Sequence, residues 1–530
     1  MFTFKTRSLE FHALKTAFAL GAVMLAGSCL KDDIPYPRIQ ANFLSIEADG
    51  VTAGPVIDSL NRTVSLAFPE TADIYNVDIT AYTLTPGAHI VGDSITGGID
   101  LSQPKSVTLR LYQDYEWTIT ADRPIERYFT VSSQIGTAEI DVPGRRVIVT
   151  VSSKADLKAI EILTCKLGPQ GATMTPELAG RTVDMSNSVE IEVDDWGHKS
   201  VWTIYTDTSD ATVTTSSVDA WSMVAWVYGE AQAGRTNGFE YRLSGDTQWT
   251  RLPQSEVMSD GGSFRACLKH LSPGAGYEVR AFSDDEYGEV LEFTTGAVPQ
   301  IPNSDFDQWW LDGKVWNPWP EGGEQVWDTG NKGATTLGTS NSMPTEDTSS
   351  GTGWAAMLET RFVGIGMIGK LAAGNIFVGR YVRTDGTNGV LSFGHPFSDK
   401  PTKVRGYMKY KTAPVSSVTA GFEYMKGLPD TCIIWCALID QPEPLEIRTN
   451  PSNRQIFDPD GSYVVAYGKV EFGQDVNSYI PFEFELDYKS TSRTPRYILL
   501  TASASKYGDY FTGGNGAVLY VDNLELEYDY

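Results

Sequence analysis

Residues 306–327 read FDQWWLDGKVWNPWPEGGEQVW and hold five of the 13 tryptophans of the chain. Two prolines and three glycines interrupt this run, so it cannot form a regular helix, and it is too irregular for a single strand. We therefore expect loop and strand edge in this segment, which opens the last domain of the chain.

Exposed indole rings stack on the apolar faces of sugars, while the indole N–H donates a hydrogen bond. The run therefore predicts a glycan-binding surface. Its candidate residues are Trp309, Trp310, Trp316, Trp319, Trp327 and Trp354. The alternative is that most of these rings lie in the core, because aromatic side chains are usually buried.

The length of 530 residues leaves room for three or four domains. Lys and Arg number 42 against 67 Asp and Glu, which gives a net charge of −25 without any basic patch. This charge argues against nucleic acid and against an anionic membrane surface as partners. Many short alternating patterns and few helical ones predict an all-β protein.

The five cysteines and five histidines are scattered along the chain. Cys432 and Cys436 lie on the same face of a predicted strand, roughly 13 Å apart, which is too far for a disulfide. We expect four of the five cysteines to be small buried apolar residues. The histidines show no spacing typical of a zinc site.

Residues 1–29 carry three basic residues, an apolar run from 17 to 25, and then Ala-Gly-Ser-Cys. The apolar run is too short to span a bilayer, so a signal peptide is predicted. Small residues running into a cysteine resemble the lipobox of bacterial lipoproteins, which implies acylation of Cys29. The sequence Leu-Lys-Asp-Asp at 30–33 resembles the export tag of surface lipoproteins, which implies an outer-membrane lipid anchor facing the cell exterior. The alternative is an ordinary signal peptide with a chance cysteine.

An internal duplication follows a short linker at 30–40 and covers residues 41–130 and 131–213. Trp117-Thr118-Ile119 recurs as Trp202-Thr203-Ile204, at an offset that drifts from 83 to 85 residues along the repeat. Each repeat holds alternating strands with a tryptophan near its end. We predict two immunoglobulin-like sandwiches with these tryptophans in their cores.

The third module covers residues 214–297. Its segment Leu271–Ala281, LSPGAGYEVRA, resembles the corner of fibronectin type III domains. The resemblance implies that the Tyr277 hydroxyl ties this corner to nearby backbone. A Pro-rich boundary at 299–303 then leads into the last domain.

Strand signals continue through residues 298–530 and predict a jelly-roll sandwich of antiparallel strands. They fall at residues 354–362, 403–410, 431–439, 463–472, 480–488, 497–504 and 517–528. In the last strand, period two places six residues on one face: Val518, Tyr520, Asp522, Leu524, Leu526 and Tyr528. A carboxylate among apolar neighbours needs hydrogen-bond donors or a hard cation.

Jelly-roll carbohydrate-binding modules often hold a structural calcium between acids at the start and end of the domain. Their resemblance to this domain implies Asp305 or Asp307 together with Asp522 as calcium ligands, and the alternative is a hydrogen-bonded Asp522 without metal. No other cofactor is expected.

Five ordered segments of the last domain resemble the "putative carbohydrate metabolism" domain of surface lipoproteins. They are residues 305–309, 372–379, 405–411, 503–513 and 521–523. The resemblance implies a β-sandwich with a glycan role, often placed behind immunoglobulin-like modules. It implies no catalytic residues.

Two other patterns are weaker. Residues 364–370, GIGMIGK, spell a nucleotide-binding fingerprint, but no helix pattern follows it, so a glycine-rich bend between strands is predicted. The acids Glu321, Glu324, Asp328, Glu359, Asp385, Glu423 and Asp430 supply enough carboxylates for a glycosidase pair. Solvated surface acids are the alternative.

The leading hypothesis is a cell-surface lipoprotein that binds glycans through its C-terminal sandwich during carbohydrate acquisition, beside other outer-membrane glycan-uptake proteins. One alternative is a glycoside hydrolase on the same domain. Another is a structural or adhesive surface protein that binds protein partners.

Overall fold

A computed structural model describes residues 40–365 and 368–530. The predicted signal peptide, Cys29 and the linker up to residue 39 lie outside the described residues. Two compact units are present among the described residues: residues 40–128, 166–177 and 191–202 form one, and residues 129–165, 178–190 and 203–530 form the other. In the part of the chain that is described, no helix has the length and apolarity needed to cross a membrane.

The first repeat is a sandwich of two small sheets. Its strands are β1 (Phe43–Ala48), β2 (Val56–Asp58), β3 (Thr63–Ala67), β4 (Val77–Leu84), β5 (His89–Val91), β6 (Gly97–Ile99), β7 (Lys105–Arg110) and β8 (Asp114–Asp122). They pair in the orders β2-β3-β8-β7-β5 and β1-β4-β6.

The second repeat has the same plan. Its strands are β9 (Tyr128–Val131), β10 (Glu139–Asp141), β11 (Arg146–Ser152), β12 (Ile160–Lys166), β13 (Thr173–Thr175), β14 (Thr182–Val183), β15 (Val189–Asp195) and β16 (His198–Ser209), with a 3-10 turn at Leu157–Ala159. They pair in the orders β10-β11-β16-β15-β13 and β14-β12-β9.

The predicted duplication is confirmed by a parallel strand pair that occurs once in each repeat. Thr63 of β3 lies opposite Thr118 of β8, and Arg146 of β11 lies opposite Thr203 of β16. Trp117 and Trp202 are both buried, as predicted. Period-two alternation places these indoles on the inner face of their strands.

The third module is a sandwich as well. Its strands are β17 (Val213–Ala220), β18 (Ala225–Ala231), β19 (Asn237–Leu243), β20 (Thr250–Arg251), β21 (Val257–Asp260), β22 (Ser263–Leu268), β23 (Gly276–Ser283), β24 (Glu286–Tyr287) and β25 (Leu291–Thr294), with a 3-10 turn at Gln254–Glu256. One sheet has the order β17-β18-β22-β21, and β23 is the hub of the other. The backbone N–H of Ser272 donates to the hydroxyl of Tyr277 over 2.9 Å, which confirms the predicted corner.

The C-terminal domain is the predicted jelly-roll sandwich. Its strands are β26 (Trp310–Asp312), β27 (Val315–Asn317), β28 (Trp327–Thr329), β29 (Ser342–Thr345), β30 (Ala355–Glu359), β31 (Arg361–Ile365), β32 (Ile368–Ala372), β33 (Asn375–Asp385), β34 (Asn388–Phe393), β35 (His395–Pro396), β36 (Lys403–Lys411), β37 (Cys432–Ile439), β38 (Leu445–Arg448), β39 (Val464–Phe472), β40 (Val476–Glu485), β41 (Asp487–Tyr488), β42 (Tyr497–Ser503) and β43 (Val518–Glu527). A short helix α1 (Asn331–Ala334) and 3-10 turns at Glu423–Met425 and Gly508–Tyr510 complete it.

Two antiparallel sheets enclose the core of this domain. The large sheet has the order β38-β34-β33-β42-β37-β39-β41, with β28 beside β33 and β35 beside β42. The small sheet has the order β29-β30-β43-β36-β40. Strands β31 and β32 form a separate antiparallel hairpin, and the described residues of the glycine-rich segment at 364–370 lie within these two strands. The predicted bend between them falls on residues 366–367, outside the described residues.

Strand β37, with the sequence CIIWCALI, is apolar on both faces of the large sheet. Cys432 and Ile434 point into the core between the two sheets. Ile433 and Trp435 belong to a second apolar cluster on the opposite face. A continuous apolar run is typical of a strand that is covered on both sides. The four cysteines within the described residues are free and buried.

Strand β43 carries a bulge at Asp522 and Asn523. Its pairing with β36 steps from Tyr407 opposite Asp522 to Arg405 opposite Glu525. Asn523 adopts a φ of 49° at this point. An extra residue in a bulge reverses which side chains face the core.

The prediction of one continuous face through Asp522 is therefore wrong. Leu519 and Val521 face the core before the bulge, and Leu524 faces it afterwards. Asp522 lies on the other side of the sheet, where it is nevertheless 2% exposed. Alternation read from sequence fails here because the bulge depends on pairing with β36.

Candidate functional site

Most of the tryptophan-rich run is packed against the domain core. Trp327 is fully buried, while Trp309 and Trp319 are 8% and 9% exposed. The indole N–H of Trp327 donates to Pro302 O over 2.8 Å, and that of Trp309 donates to Phe306 O over 2.8 Å. These three indoles are not the exposed platform expected from the sequence, because a buried ring has no face on which a sugar can stack.

The other three candidates are half-buried. Trp310 lies on β26 and Trp316 on β27, the two strands of a short hairpin. Trp354 is joined to the start of the domain through its backbone N–H, which donates to Asp307 Oδ1 over 2.6 Å. Sugar binding by Trp310, Trp316 and Trp354 stays a prediction.

A cleft of about 200 Å³ lies on the face of the large sheet that is turned away from the core. Its lining includes Phe377, Phe393 and Trp435, which belong to the second apolar cluster. The rings of Phe377 and Phe393 stack with their centroids 4.6 Å apart. The sheet therefore supplies a rigid aromatic floor.

Two half-buried rings also line the cleft, Tyr381 on β33 and Phe511 after the last 3-10 turn. The Tyr381 hydroxyl shares a hydrogen bond of 2.8 Å with the hydroxyl of Thr384. The turn before Phe511 approaches the β32–β33 connection closely. A Cβ on Gly508 would lie 2.5 Å from the Ala373 side chain, so this approach requires glycine.

A cation reaches the cleft from β32. The Lys370 ammonium donates to Asn388 Oδ1 over 2.6 Å and lies 4.2 Å from the centre of the Phe511 ring. Burial lowers the pKa of Lys370, and the charge of Arg454 lowers it further. Both effects disfavour the ammonium form.

One carboxyl group lines the cleft among the described residues, that of Asp509. Burial raises the pKa of this carboxyl, against the opposing effect of the Arg454 charge. Hydrogen bonds occupy the buried carboxyl groups of Asp328, Asp430 and Asp522, whereas none of the described donors reaches the half-buried Asp509. Its carboxyl is therefore free to bond to a ligand.

Thr501 of β42 also lines the cleft and is 7% exposed. Its hydroxyl oxygen is buried without a hydrogen-bond partner in the described structure. Because an unpaired buried hydroxyl costs free energy, a ligand hydroxyl that pairs with it would be stabilised there.

The carboxyl groups of the predicted calcium residues accept hydrogen bonds from backbone N–H groups. Asp522 Oδ2 accepts from the backbone N–H of Ser349 over 2.7 Å, and Asp305 Oδ1 accepts from that of Asp307 over 3.3 Å. Residues 40–365 and 368–530 contain no group of three or more His, Cys, Asp or Glu side chains arranged to hold a metal ion. Calcium binding stays a prediction.

The acids considered for glycosidase chemistry do not line the cleft. Asp430 accepts from Ser505 Oγ and from Gly514 N, and Asp328 accepts from Tyr381 N and from Lys332 Nζ. These buried carboxylates hold loops and strands together. Sequence spacing could not distinguish them from a catalytic pair.

The cleft residues were not singled out by sequence reasoning. Two of the segments that carry the family resemblance, residues 372–379 and 503–513, nevertheless contribute much of the lining. The resemblance of these two segments to the family was therefore a usable signal in the sequence, and the structure shows that they meet where β33 pairs with β42. The tryptophan-rich run predicted a different binding surface, because composition does not show which side chains are exposed to solvent.

The family described as "Putative carbohydrate metabolism domain" matches residues 305–527. The C-terminal domain is therefore a member of that family, and the resemblance predicted from sequence is confirmed. No curated protein matches the chain.

Solved structures give weaker likenesses. A "putative glycoside hydrolase" from Bacteroides thetaiotaomicron is 15% identical, with coverage of 94% of this chain and 99% of that one and a TM-score of 0.31. Another "putative glycoside hydrolase", from Bacteroides vulgatus, is 20% identical, with coverage of 43% and 94% and a TM-score of 0.31. A surface glycan-binding protein from Prevotella bryantii is 10% identical, with coverage of 67% and 88% and a TM-score of 0.14. Since these TM-scores are below 0.5, they carry no functional conclusion.

Proposed function

With residues 305–527 identified as a carbohydrate-related domain, we propose that the cleft on its large sheet binds a saccharide. The observation that carries the proposal is the combination of rings and unpaired polar groups in one cleft. Tyr381 and Phe511 offer partly exposed aromatic surface. Asp509 offers a carboxyl to which none of the described donors bonds, and Thr501 offers a hydroxyl oxygen without a protein partner. Sugars present apolar ring faces and hydroxyl groups, which match these two kinds of surface.

Binding is favoured over hydrolysis by the composition of the lining. A carboxyl with a raised pKa, such as Asp509, could act as a general acid. Standard glycoside hydrolysis requires a second carboxyl group about 5–10 Å away. The described lining offers no second Asp or Glu.

The binding proposal is tested with a glycan array probed by the whole protein, followed by titration of Tyr381→Ala. Loss of the ring should remove roughly 2 kcal/mol of binding free energy, which raises the dissociation constant about 30-fold. Tyr381→Phe is the matched control, because it keeps the ring and should keep most of the affinity.

Trp310→Ala tests whether the saccharide binds at the cleft or at the hairpin of β26 and β27, which carries Trp310 and Trp316. Unchanged affinity in this variant supports the cleft. If Trp310→Ala abolishes binding and Tyr381→Ala does not, the saccharide site is at the hairpin. Release of reducing sugar that Asp509→Asn abolishes would favour the hydrolase alternative.

We further propose that a lipid on Cys29 holds the protein at the outer membrane, facing the cell exterior. The motif Ala26-Gly27-Ser28-Cys29 and the Lys31-Asp32-Asp33 tag support this proposal. Radiolabelled palmitate should mark the wild type and not Cys29→Ser. An unlabelled wild type would exclude the anchor.

A further inference from the structure

Lys370 and Arg454 lie over the rings of consecutive residues, Phe511 and Tyr510, and neither has a carboxylate partner among the described residues. Lys370 lines the cleft, and its hydrogen-bond acceptor is the neutral amide oxygen of Asn388. Arg454 is not among the lining residues, but its guanidinium carbon lies 4.6 Å from the centre of the Tyr510 ring, which precedes Phe511. The Nε of Arg454 is buried and has no partner in the described structure.

The contrast with the third cation of this region is informative. Lys506 also lines the cleft, but its ammonium donates to Glu471 Oε2 over 2.8 Å and is thereby neutralised. Among the described residues, no carboxylate lies within ion-pair distance of Lys370 or Arg454.

The two cations also act on each other. The Arg454 charge disfavours the charged form of Lys370, as expected for neighbouring like charges. Asp509, the acid of the described lining, forms no ion pair with Arg454. An anion bound between the two cations would relieve their repulsion and make charge-assisted hydrogen bonds.

We propose that the saccharide bound in the cleft is acidic, carrying a carboxylate or a sulfate group, and that Lys370 and Arg454 hold this anionic group. This inference rests on the proposed function, since it names the substrate class of the same cleft. The sugar ring is contacted by the half-buried rings of Tyr381 and Phe511 and by the Thr501 hydroxyl, while the cations select its charge.

The experiment is calorimetric titration of the whole protein with four oligosaccharides in matched pairs. Oligogalacturonate carries only carboxylates and is paired with its carboxyl-reduced form. A carrageenan tetrasaccharide carries only sulfates and is paired with its desulfated form. In at least one pair, the acidic member should bind at least about tenfold more tightly than its neutral partner. The pair that shows this preference identifies the anionic group as a carboxylate or a sulfate.

Variants assign the preference to the two residues. Lys370→Met and Arg454→Met should each lose about tenfold in affinity for the acidic sugar and little for the neutral one. Lys370→Arg should retain the preference, and retained neutral binding shows that a variant is folded. Lys411→Met removes an exposed charge from β36 and is the control for net charge.

The outcomes separate the two proposals. Equal affinity for neutral and acidic members of both pairs overturns the acidic-ligand inference and leaves saccharide binding intact. If Lys411→Met loses as much affinity for the acidic sugar as Lys370→Met does, the inference is also overturned, because the effect would then come from overall charge. Absence of binding to every array glycan, acidic or neutral, would remove the proposed function itself.

Discussion

The indole of Trp221 in the third module packs against the ring of Tyr488 in the C-terminal domain, with centroids 4.2 Å apart. The indole N–H donates to Thr491 O over 3.0 Å, and the Thr491 hydroxyl donates to Asp219 Oδ2 over 2.7 Å. Trp221 is 2% exposed. The third module is therefore docked on the C-terminal domain rather than acting as a free spacer.

Trp221→Ala should lower the free energy of unfolding by about 3–5 kcal/mol, because it leaves a cavity and removes the hydrogen bond from the indole N–H to Thr491 O. Chemical denaturation of the whole protein measures this. Trp196→Ala is the control, since that ring is 62% exposed, and it should change stability by less than about 0.5 kcal/mol. A small effect at Trp221 would mean that the two modules are not coupled there.

Tyr277→Phe should destabilise the third module by about 1 kcal/mol, because the Ser272 N–H loses its acceptor. The measurement is the denaturation midpoint of the transition that contains this module. Tyr287→Phe alters a hydroxyl on a ring that is 46% exposed and should be nearly neutral. Equal effects at both positions would contradict a special role for the corner.

Asp509→Asn should raise stability at neutral pH. The folded-state pKa of Asp509 is raised above its ordinary value of 3.8, chiefly by burial. The folded protein then binds more protons than the unfolded chain between 3.8 and the raised pKa, so wild-type stability falls as pH rises through that window. Asp509→Asn has no carboxyl to ionise at this position, so its stability does not fall in this way.

The measurement for Asp509 is the melting temperature of the variant minus that of the wild type. This difference should be larger at about pH 7 than at about pH 3, where the carboxyl is protonated in both states. Asp312→Asn changes an exposed acid of the same domain and should show little difference at either pH. A wild type that is more stable than Asp509→Asn at neutral pH would show that the ionised carboxylate has a stabilising partner.

Calcium binding by Asp522 with Asp305 or Asp307 is tested by melting in excess calcium and in chelator. A bound calcium at 100 times its dissociation constant would stabilise the fold by about 2.7 kcal/mol, and Asp522→Asn should abolish the gain. The same melting temperature under both conditions would assign Asp522 to hydrogen bonding alone. Its bond from the Ser349 N–H already supplies one donor.

Much of the fold could be read from local sequence patterns. Strands such as Lys403–Lys411 and Cys432–Ile439 lie within a residue of their predicted limits. Trp117 and Tyr277 play the packing and corner roles predicted from their positions in strands. Side-chain alternation and turn residues are local properties, so they can be read from the sequence without knowing the partner strands.

The candidate site was decided by tertiary structure. Lys370 and Asp509 are far apart in sequence and meet at one cleft because β32 and the turn after β42 converge on the large sheet. The alternation in β37 gives two apolar faces but does not tell which one is covered by the second sheet and which becomes a cleft floor.

Sequence by itself determined that this chain is a series of β-sandwiches ending in a carbohydrate-related domain. Tertiary structure decided that Trp327 is core and that Asp522 faces away from the core. Exposure and strand register are set by distant parts of the chain, such as β36 opposite the bulge. For that reason the density of tryptophans could locate a domain but could not locate its binding surface.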